Sequence, residues 1–285
     1  MSSKITRRAA LGWAGAAAAG VPLFGSPATQ AQPESGASTP PDDLPEIDRK
    51  KKLKVVFAGA HVDDWTLIGG TLARYARLGH EVLVLSFTPG DSQSMADSNH
   101  MSVEKIAAMR RAQAVKGCRI IGSNIRFLGQ HNEQMHTDPA TYLKFDKILL
   151  AEKPDVVFTH WAIEFHPDHR AASNLVFNAW LQSGMKFGFY FCENPDAGEM
   201  ESQHFVPNHY VDVESVKALK RESYLVNTFI TDGWPENDQC WKFRGLEYGC
   251  PYAEAFIRVH TVATMPERNL YPNWWYWGGL RLAQD

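Results

Sequence analysis

The chain has 285 residues, 44% hydrophobic and 21% charged, with a formal net charge of −3. This acidic balance argues against a nucleic-acid or anionic-membrane surface. Four cysteines without a C-x-x-C pair (Cys118, Cys192, Cys240, Cys250) exclude a disulfide-stapled scaffold and a cysteine-built structural zinc site.

The amino-terminal segment reads as an export signal. Lys4, Arg7 and Arg8 precede a short apolar run, Trp13 to Phe24, made mostly of Ala and Gly. Thr6-Arg7-Arg8 resembles a twin-arginine address, which implies a periplasmic or extracellular mature protein. The run falls short of the ~20 residues that span a bilayer, so no stable membrane span is expected in the mature protein. Cleavage is expected near Ala31, giving a signal of residues 1–31 and taking the formal charge from −3 to −6. Residues 32–50 carry Pro33, Pro40, Pro41 and Pro45 among polar residues and read as a disordered linker. Residues 51–285 are long enough for one domain with a sizeable core.

That domain opens with an apolar strand over 53–60, followed by a helix over 66–78 and a second buried strand over 81–87. A polar loop, 89–102, is long enough to be functional. The pattern then predicts a helix over 103–116 and a strand over 124–128. Asp138-Pro139 opens a helix running to Glu152, with Asp as cap and Pro in the first turn. Strands are expected over 154–160 and 187–192, with a helix over 168–182 between them. Beyond Glu193 the pattern loosens to a strand near 210–213, a helix over 214–226 and a strand near 256–262. Trp274, Trp275 and Trp277 form an aromatic tail expected to pack against the domain. Alternating strands and helices give an α/β fold, a Rossmann-like doubly wound, mostly parallel sheet.

Two motifs stand at strand ends. Strand 1 runs into Gly59-Ala60-His61-Val62-Asp63-Asp64, and strand 4 leads into His166-Pro167-Asp168-His169. In the 3-2-1-4-5 order of doubly wound sheets, strands 1 and 4 are neighbours at the switch point, where ligands bind beyond the carboxyl ends. Residues about a hundred positions apart therefore converge on one site. A catalytic zinc takes three N/O ligands and leaves a position for water. His61 and Asp64 are spaced to reach one ion, and His169 supplies a third bond. Asp63 is then left as a general base, and His166 as a donor to the oxyanion or leaving amine, with Asp168 orienting that imidazole. Taken singly, Asp63 or Asp64 is as readily a helix cap and His166-Pro167 an ordinary helix entry. The conjunction of both motifs carries the reading.

These residues resemble the PIG-L/LmbE-like de-N-acetylases, whose signatures are A-H-P-D-D-E after the first strand and H-P-D-H after a later one. The resemblance implies His61, Asp64 and His169 as ligands of Zn²⁺, with Fe²⁺ or Mn²⁺ compatible with the same donors. It also implies Asp63 as base, His166 as acid or oxyanion partner, and hydrolysis of an N-acyl group on a small amino-sugar-like substrate. Val62 stands where the family has proline, and Trp65 where it has glutamate. Arg110 or Arg111 resembles the family's substrate-binding arginine, and Gln113 stands where a glutamate is common. Trp65, Arg110, Arg111 and His131 are therefore the candidate substrate contacts, with His131 more readily read as a surface-loop residue. A non-catalytic exported carbohydrate-binding protein on the same fold is the competing expectation, although it has no need of both Asp63 and His166. A nucleotide-binding protein is opposed by the missing G-x-G-x-x-G after strand 1.

Overall fold

The computed structural model describes residues 51–195 and 204–259. The signal (1–31), the linker (32–50) and the tail with Trp274, Trp275 and Trp277 lie outside the described residues. One sheet contains β1 (Lys54–Gly59), β2 (Glu81–Ser86), β3 (Asn124–Phe127), β4 (Val156–His160), β5 (Gly188–Cys192), β6 (His209–Asp212) and β7 (Ala253–Val259). Their order is β3-β2-β1-β4-β5-β7-β6. The first five are parallel in the expected 3-2-1-4-5 order, and the chain reverses its direction of travel between β1 and β4. β7 pairs antiparallel with β5, and β6 antiparallel with β7.

The central strand explains the layering. Successive side chains of a strand point to opposite faces, and in β1 both sets are apolar. Val55 and Phe57 join a core with Leu72, Tyr75, Phe158 and Trp241, while Val56 and Ala58 join another with Phe145, Leu175, Val176 and Trp180. A sheet buried on both faces needs helices on both. The helices are α1 (Gly69–Arg77), α2 (Gln93–Ser98), α3 (Val103–Ile120), α4 (Pro139–Ala151), α5 (Pro167–Gln182), α6 (Lys217–Leu225) and α7 (Trp234–Tyr248). α4 and α5 supply residues to the second core, and α1, α3, α6 and α7 to the first.

Three local features depart from the sequence reading. The helix expected from Thr66 starts as a 3-10 turn, Asp64–Ile68, before α1 begins. The polar stretch 89–102 contains α2, whose cap Ser92 accepts a hydrogen bond from the Met95 amide. Sequence periodicity does not predict α7, because its apolar residues are not confined to one stripe. Trp241 is buried, whereas Phe243 and Leu246 are 42% and 78% exposed. Its real signals are a proline in the first turn and Gly249 beyond the end, at φ 90°. No disulfide links Cys240 to Cys250; the Cys240 thiol donates to Glu193 Oε2 at 3.6 Å. No helix among the described residues is long and apolar enough to cross a membrane.

Candidate active site

The carboxyl ends of β1 and β4 open into a cavity of about 280 Å³. His61, Asp63 and Asp64 enter it from the β1 turn, and His166 and His169 from the first turns of α5. The turn after β1 is held by the Asp64 carboxylate, which accepts the His61 amide at 2.6 Å. His166 caps α5 by accepting the Asp168 amide on Nδ1 at 3.1 Å, with Pro167 in the first turn. The cap fixes the neutral ring as the Nε2–H tautomer.

Three donor atoms form a small triangle. His61 Nδ1 lies 2.9 Å from His169 Nε2 and 3.5 Å from Asp64 Oδ1, and His169 Nε2 lies 3.4 Å from Asp64 Oδ1. Bonds of about 2.0–2.2 Å at tetrahedral angles would separate ligand atoms by about 3.4 Å. The residues therefore fit a single divalent ion. The two imidazole centroids are 4.8 Å apart, inside the ~6 Å that two such bonds allow.

Each of these three side chains has its own buried partner on its far side. His61 Nε2 lies 3.2 Å from Asp168 Oδ2. His169 Nδ1 lies 2.9 Å from Glu164 Oε2. Asp64 Oδ2 lies 2.8 Å from His160 Nε2. Such outer partners fix the tautomer and orientation of metal-binding side chains. Asp168 and Glu164 are each 1% exposed and are anchored in turn. The Glu133 and Met135 amides donate to Asp168 at 2.6 and 3.2 Å, and the His166 amide and Asn194 Nδ2 donate to Glu164 at 2.8 and 3.2 Å.

Electrostatics follow from this packing. Burial opposes charge on His169, but Asp64 and Glu164 overcome it and hold its pKa up at about 10. Burial likewise opposes charge on His61, and Asp64 and Asp168 raise it above its ordinary value. Burial and the neighbouring His169 push His160 down to about 4, so it stays neutral. Burial, with His61 and His169 nearby, also lowers His166. Despite desolvation, the three surrounding histidines hold Asp64 well below the usual carboxylate range.

Several expected contacts lie elsewhere. The Asp168 carboxylate faces His61 rather than His166 and reaches His166 only through its backbone amide. Arg110 borders the cavity, but it is 4% exposed and its Nη2 donates to both oxygens of Asp63, at 2.9 and 3.0 Å. Its partner is thus the expected base, in place of substrate. Arg111 is exposed and does not line the cavity. Trp65 is fully buried in the core, its indole N–H donating to Val62 O at 2.9 Å, and it contributes nothing to the cavity wall. The reason is steric: the indole fills the space over Gly117, where a Cβ would sit 2.6 Å from the ring. His131 is exposed, 2.5 Å from Asp91, while its neighbours Asn132 and Glu133 line the cavity.

From sequence, Glu164 is divided between substrate and solvent, and His160 has no role beyond burial near the site. The signal for both lies in the rule that a metal-binding imidazole or carboxylate needs a second partner. The remaining wall comprises Thr66 and Leu67 of the 3-10 turn, Ser94 and Met95 of α2, Tyr224 of α6, and Ser92, Phe165, Asn194 and Ile230 from loops with no motif.

Residues 56–180, which include both motifs, match the family model for GlcNAc-PI de-N-acetylase, PIG-L. Among curated sequences, it is similar to a 4-oxalmesaconate hydratase of Pseudomonas putida, at 23% identity over 182 residues, covering 60% of this chain and 70% of that one. Among solved structures, it resembles a 4-carboxy-2-hydroxymuconate hydratase of Pseudomonas putida at TM-score 0.65 and 20% identity, covering 76% of this chain and 100% of that one. It also resembles the N,N'-diacetylchitobiose deacetylase of Pyrococcus horikoshii at TM-score 0.61 and 24% identity, covering 74% and 85%. At such identities these structural likenesses establish the fold alone, a mostly parallel α/β sheet. The matched segment runs from within β1 to within α5; α6, α7, β6 and β7 lie beyond it.

Proposed function

We propose that this chain is an exported, metal-dependent hydrolase that removes an N-acyl group, foremost N-acetyl, from a small amino-sugar-like substrate. One observation carries the reading: three donors 2.9–3.5 Å apart, each backed by a buried partner, share a cavity with Asp63 and His166. His61, Asp64 and His169 would hold the ion, with zinc the first choice for two imidazoles and a carboxylate, and Fe²⁺ or Mn²⁺ compatible. When bound, the ion supplies Lewis-acid polarisation of the amide carbonyl and acidifies water.

The protein's own groups perform the proton transfers. Asp63, held by Arg110, accepts a proton from the attacking water as its oxygen bonds to the carbonyl carbon. His166 presents Nε2–H toward the oxygen that gains charge. The C–N bond then breaks, and the proton taken by Asp63 passes to the departing nitrogen, releasing amine and carboxylate.

A second reading, hydration of a carbon–carbon double bond, is favoured by the Pseudomonas putida sequence relative. The cavity wall favours the amide. Among the described residues its acids are Asp63, Asp64 and Glu133, and its one Lys or Arg is Arg110, already spanning Asp63. Apart from the ion itself, that wall offers no free guanidinium or ammonium to pair with a further carboxylate, which favours a neutral, hydroxyl-rich substrate over a polycarboxylate.

The test is metal content and acetate release from N-acetylglucosamine conjugates, for wild type and Asp63→Ala. The proposal expects wild-type metal content in both proteins and acetate from wild type alone. Undiminished release by the variant would remove Asp63 from its role. No acetate from wild type, together with hydration of an unsaturated oxo-acid, would transfer the reading to hydratase.

A further inference from the structure

The segment that follows the catalytic turn changes pitch, from the 3-10 turn Asp64–Ile68 to α1. Such a junction leaves carbonyls of one helix and amides of the next without intrahelical partners. Here a buried ion pair takes them. Lys220 Nζ, on α6, donates to Thr66 O at 2.9 Å, Leu67 O at 3.0 Å and Glu254 Oε1 at 2.7 Å. Glu254, on β7, accepts the Gly70 amide at 2.8 Å on Oε1 and the Thr71 amide at 2.7 Å on Oε2. Each charge thus meets the matching end of a helix dipole.

The fit has no slack. Lys220 is 0% exposed and Glu254 1%, and Lys220 Nζ sits 3.4 Å from the centre of the Trp241 ring. A Cβ on Gly70 would lie 2.8 Å from Glu254 Oε1 and 2.7 Å from Val213. Burying two charges is unfavourable unless their hydrogen bonds are filled. An apolar pair of equal volume would strand two carbonyls and two amides.

Asp64 is the first residue of the 3-10 turn gripped by Lys220, and the Thr66 amide donates to Asp63 O at 2.9 Å. The grip on Thr66 and Leu67 therefore acts within four residues of both carboxylates. We propose that Lys220 and Glu254, both outside the matched segment 56–180, are positioning residues that aim the Asp63-Asp64 turn at the metal and the water. The proposal rests on the metal-site reading above.

The test compares wild type, Asp64→Ala, Glu254→Gln and Glu254→Asp for zinc affinity by competition with a chromophoric chelator, for kcat and KM on the N-acyl substrate, and for thermal melting. Glu254→Gln is expected to weaken zinc binding about tenfold, the scale of an outer-shell change, and to lower kcat with KM little altered. Glu254→Asp, which keeps the charge but draws it back from the amides, is expected to recover part of both. A variant that melts earlier yet binds zinc and turns over as wild type does would make the pair purely structural and overturn the proposal. If Glu254→Gln fails to fold, Glu254→Asp alone decides between the two outcomes by the same measurements. Wild type without zinc binding, or Asp64→Ala binding it unchanged, overturns the metal-site reading and this proposal together. Loss in Asp64→Ala with no change in either Glu254 variant overturns the positioning role alone.

Discussion

Glu164→Gln separates the two jobs of the carboxylate behind His169. In the metal-free protein Glu164 and Asp64 hold the His169 pKa at about 10, so at pH 7 the ring carries a proton that a metal must displace. At about 1.4 kcal/mol per pH unit, a gap of three units sets that displacement near 4 kcal/mol. Wild-type zinc affinity is therefore expected to rise about tenfold per pH unit between pH 7 and 9 and to level off near pH 10. Removing the Glu164 charge lowers the proton affinity of His169 as well as its strength as a ligand. The variant should lose about 10–100-fold in zinc affinity on the alkaline plateau, lose less at pH 7, and reach its plateau at lower pH. The sign for stability is fixed by the same shift. A raised histidine pKa contributes stability that is complete below the ordinary value of 6.5 and is lost as pH rises through about 10. Metal-free wild type should melt progressively lower from pH 7 to 10, and Glu164→Gln should show less of that decline. Chelator competition from pH 6 to 10, with calorimetry in buffers of different ionisation enthalpy, measures affinity and proton release. Parallel affinity profiles with the same plateau pH in both proteins would refute the assignment of Glu164 to the His169 proton.

Arg110→Lys replaces a guanidinium that spans both oxygens of Asp63 by a single ammonium. Steady-state kinetics should show kcat down about tenfold with KM nearly constant, and a loss carried by KM would return Arg110 to the substrate. Gly117→Ala drives a methyl to within 2.6 Å of the Trp65 ring and 3.0 Å of Ser223 O. Denaturant titration should show about 1–3 kcal/mol lost, as overpacking costs; an unchanged midpoint would mean that the indole moves. Asp146 is buried, with Oδ2 on Asn178 at 2.9 Å, and burial raises its pKa to about 6. Its ionisation therefore destabilises the fold increasingly as pH climbs from 4 through 6. Asp146→Asn should gain about 1–2 kcal/mol at pH 7, after allowance for the unpartnered amide it introduces, and nothing near pH 4. Equal gains at both pH values would exclude ionisation as the cause.

The parallel half of the fold was legible because β1, β2 and β4 are short apolar runs buried on both faces, and a doubly wound order follows from their alternation with helices. Both motifs were legible for the same reason, since a strand that ends in His61-Val62-Asp63-Asp64 delivers those residues to the switch point. What stayed hidden depends on contacts between residues distant in sequence. Glu164 and His160 acquire meaning only once His169 and Asp64 are seen beside them. Arg110 and Arg111 are adjacent, and helix phase alone sends one to Asp63 and the other to solvent. α7 escaped because its exposed Phe243 and Leu246 blur the apolar stripe on which a helix is recognised.

Trp65 shows how a departure inside a motif can leave the chemistry untouched. It follows Asp64 directly, yet its ring turns into the core, closes on Gly117 and returns a hydrogen bond to Val62 within the same turn. An apolar side chain there adds burial beneath the metal turn, where a carboxylate in the same space would need a partner for its charge. The change is therefore accommodated by the α3 surface and stays away from the cavity wall. On the proposed reading, discrimination among N-acyl substrates falls to the residues that wall the cavity: Ser92, Ser94 and Met95 after β2, Asn132 and Glu133 after β3, Phe165 after β4. These positions lie on the short α2 and on loops, outside the strands β1 and β4, so on that reading the wall can change while the two motifs stay as they are.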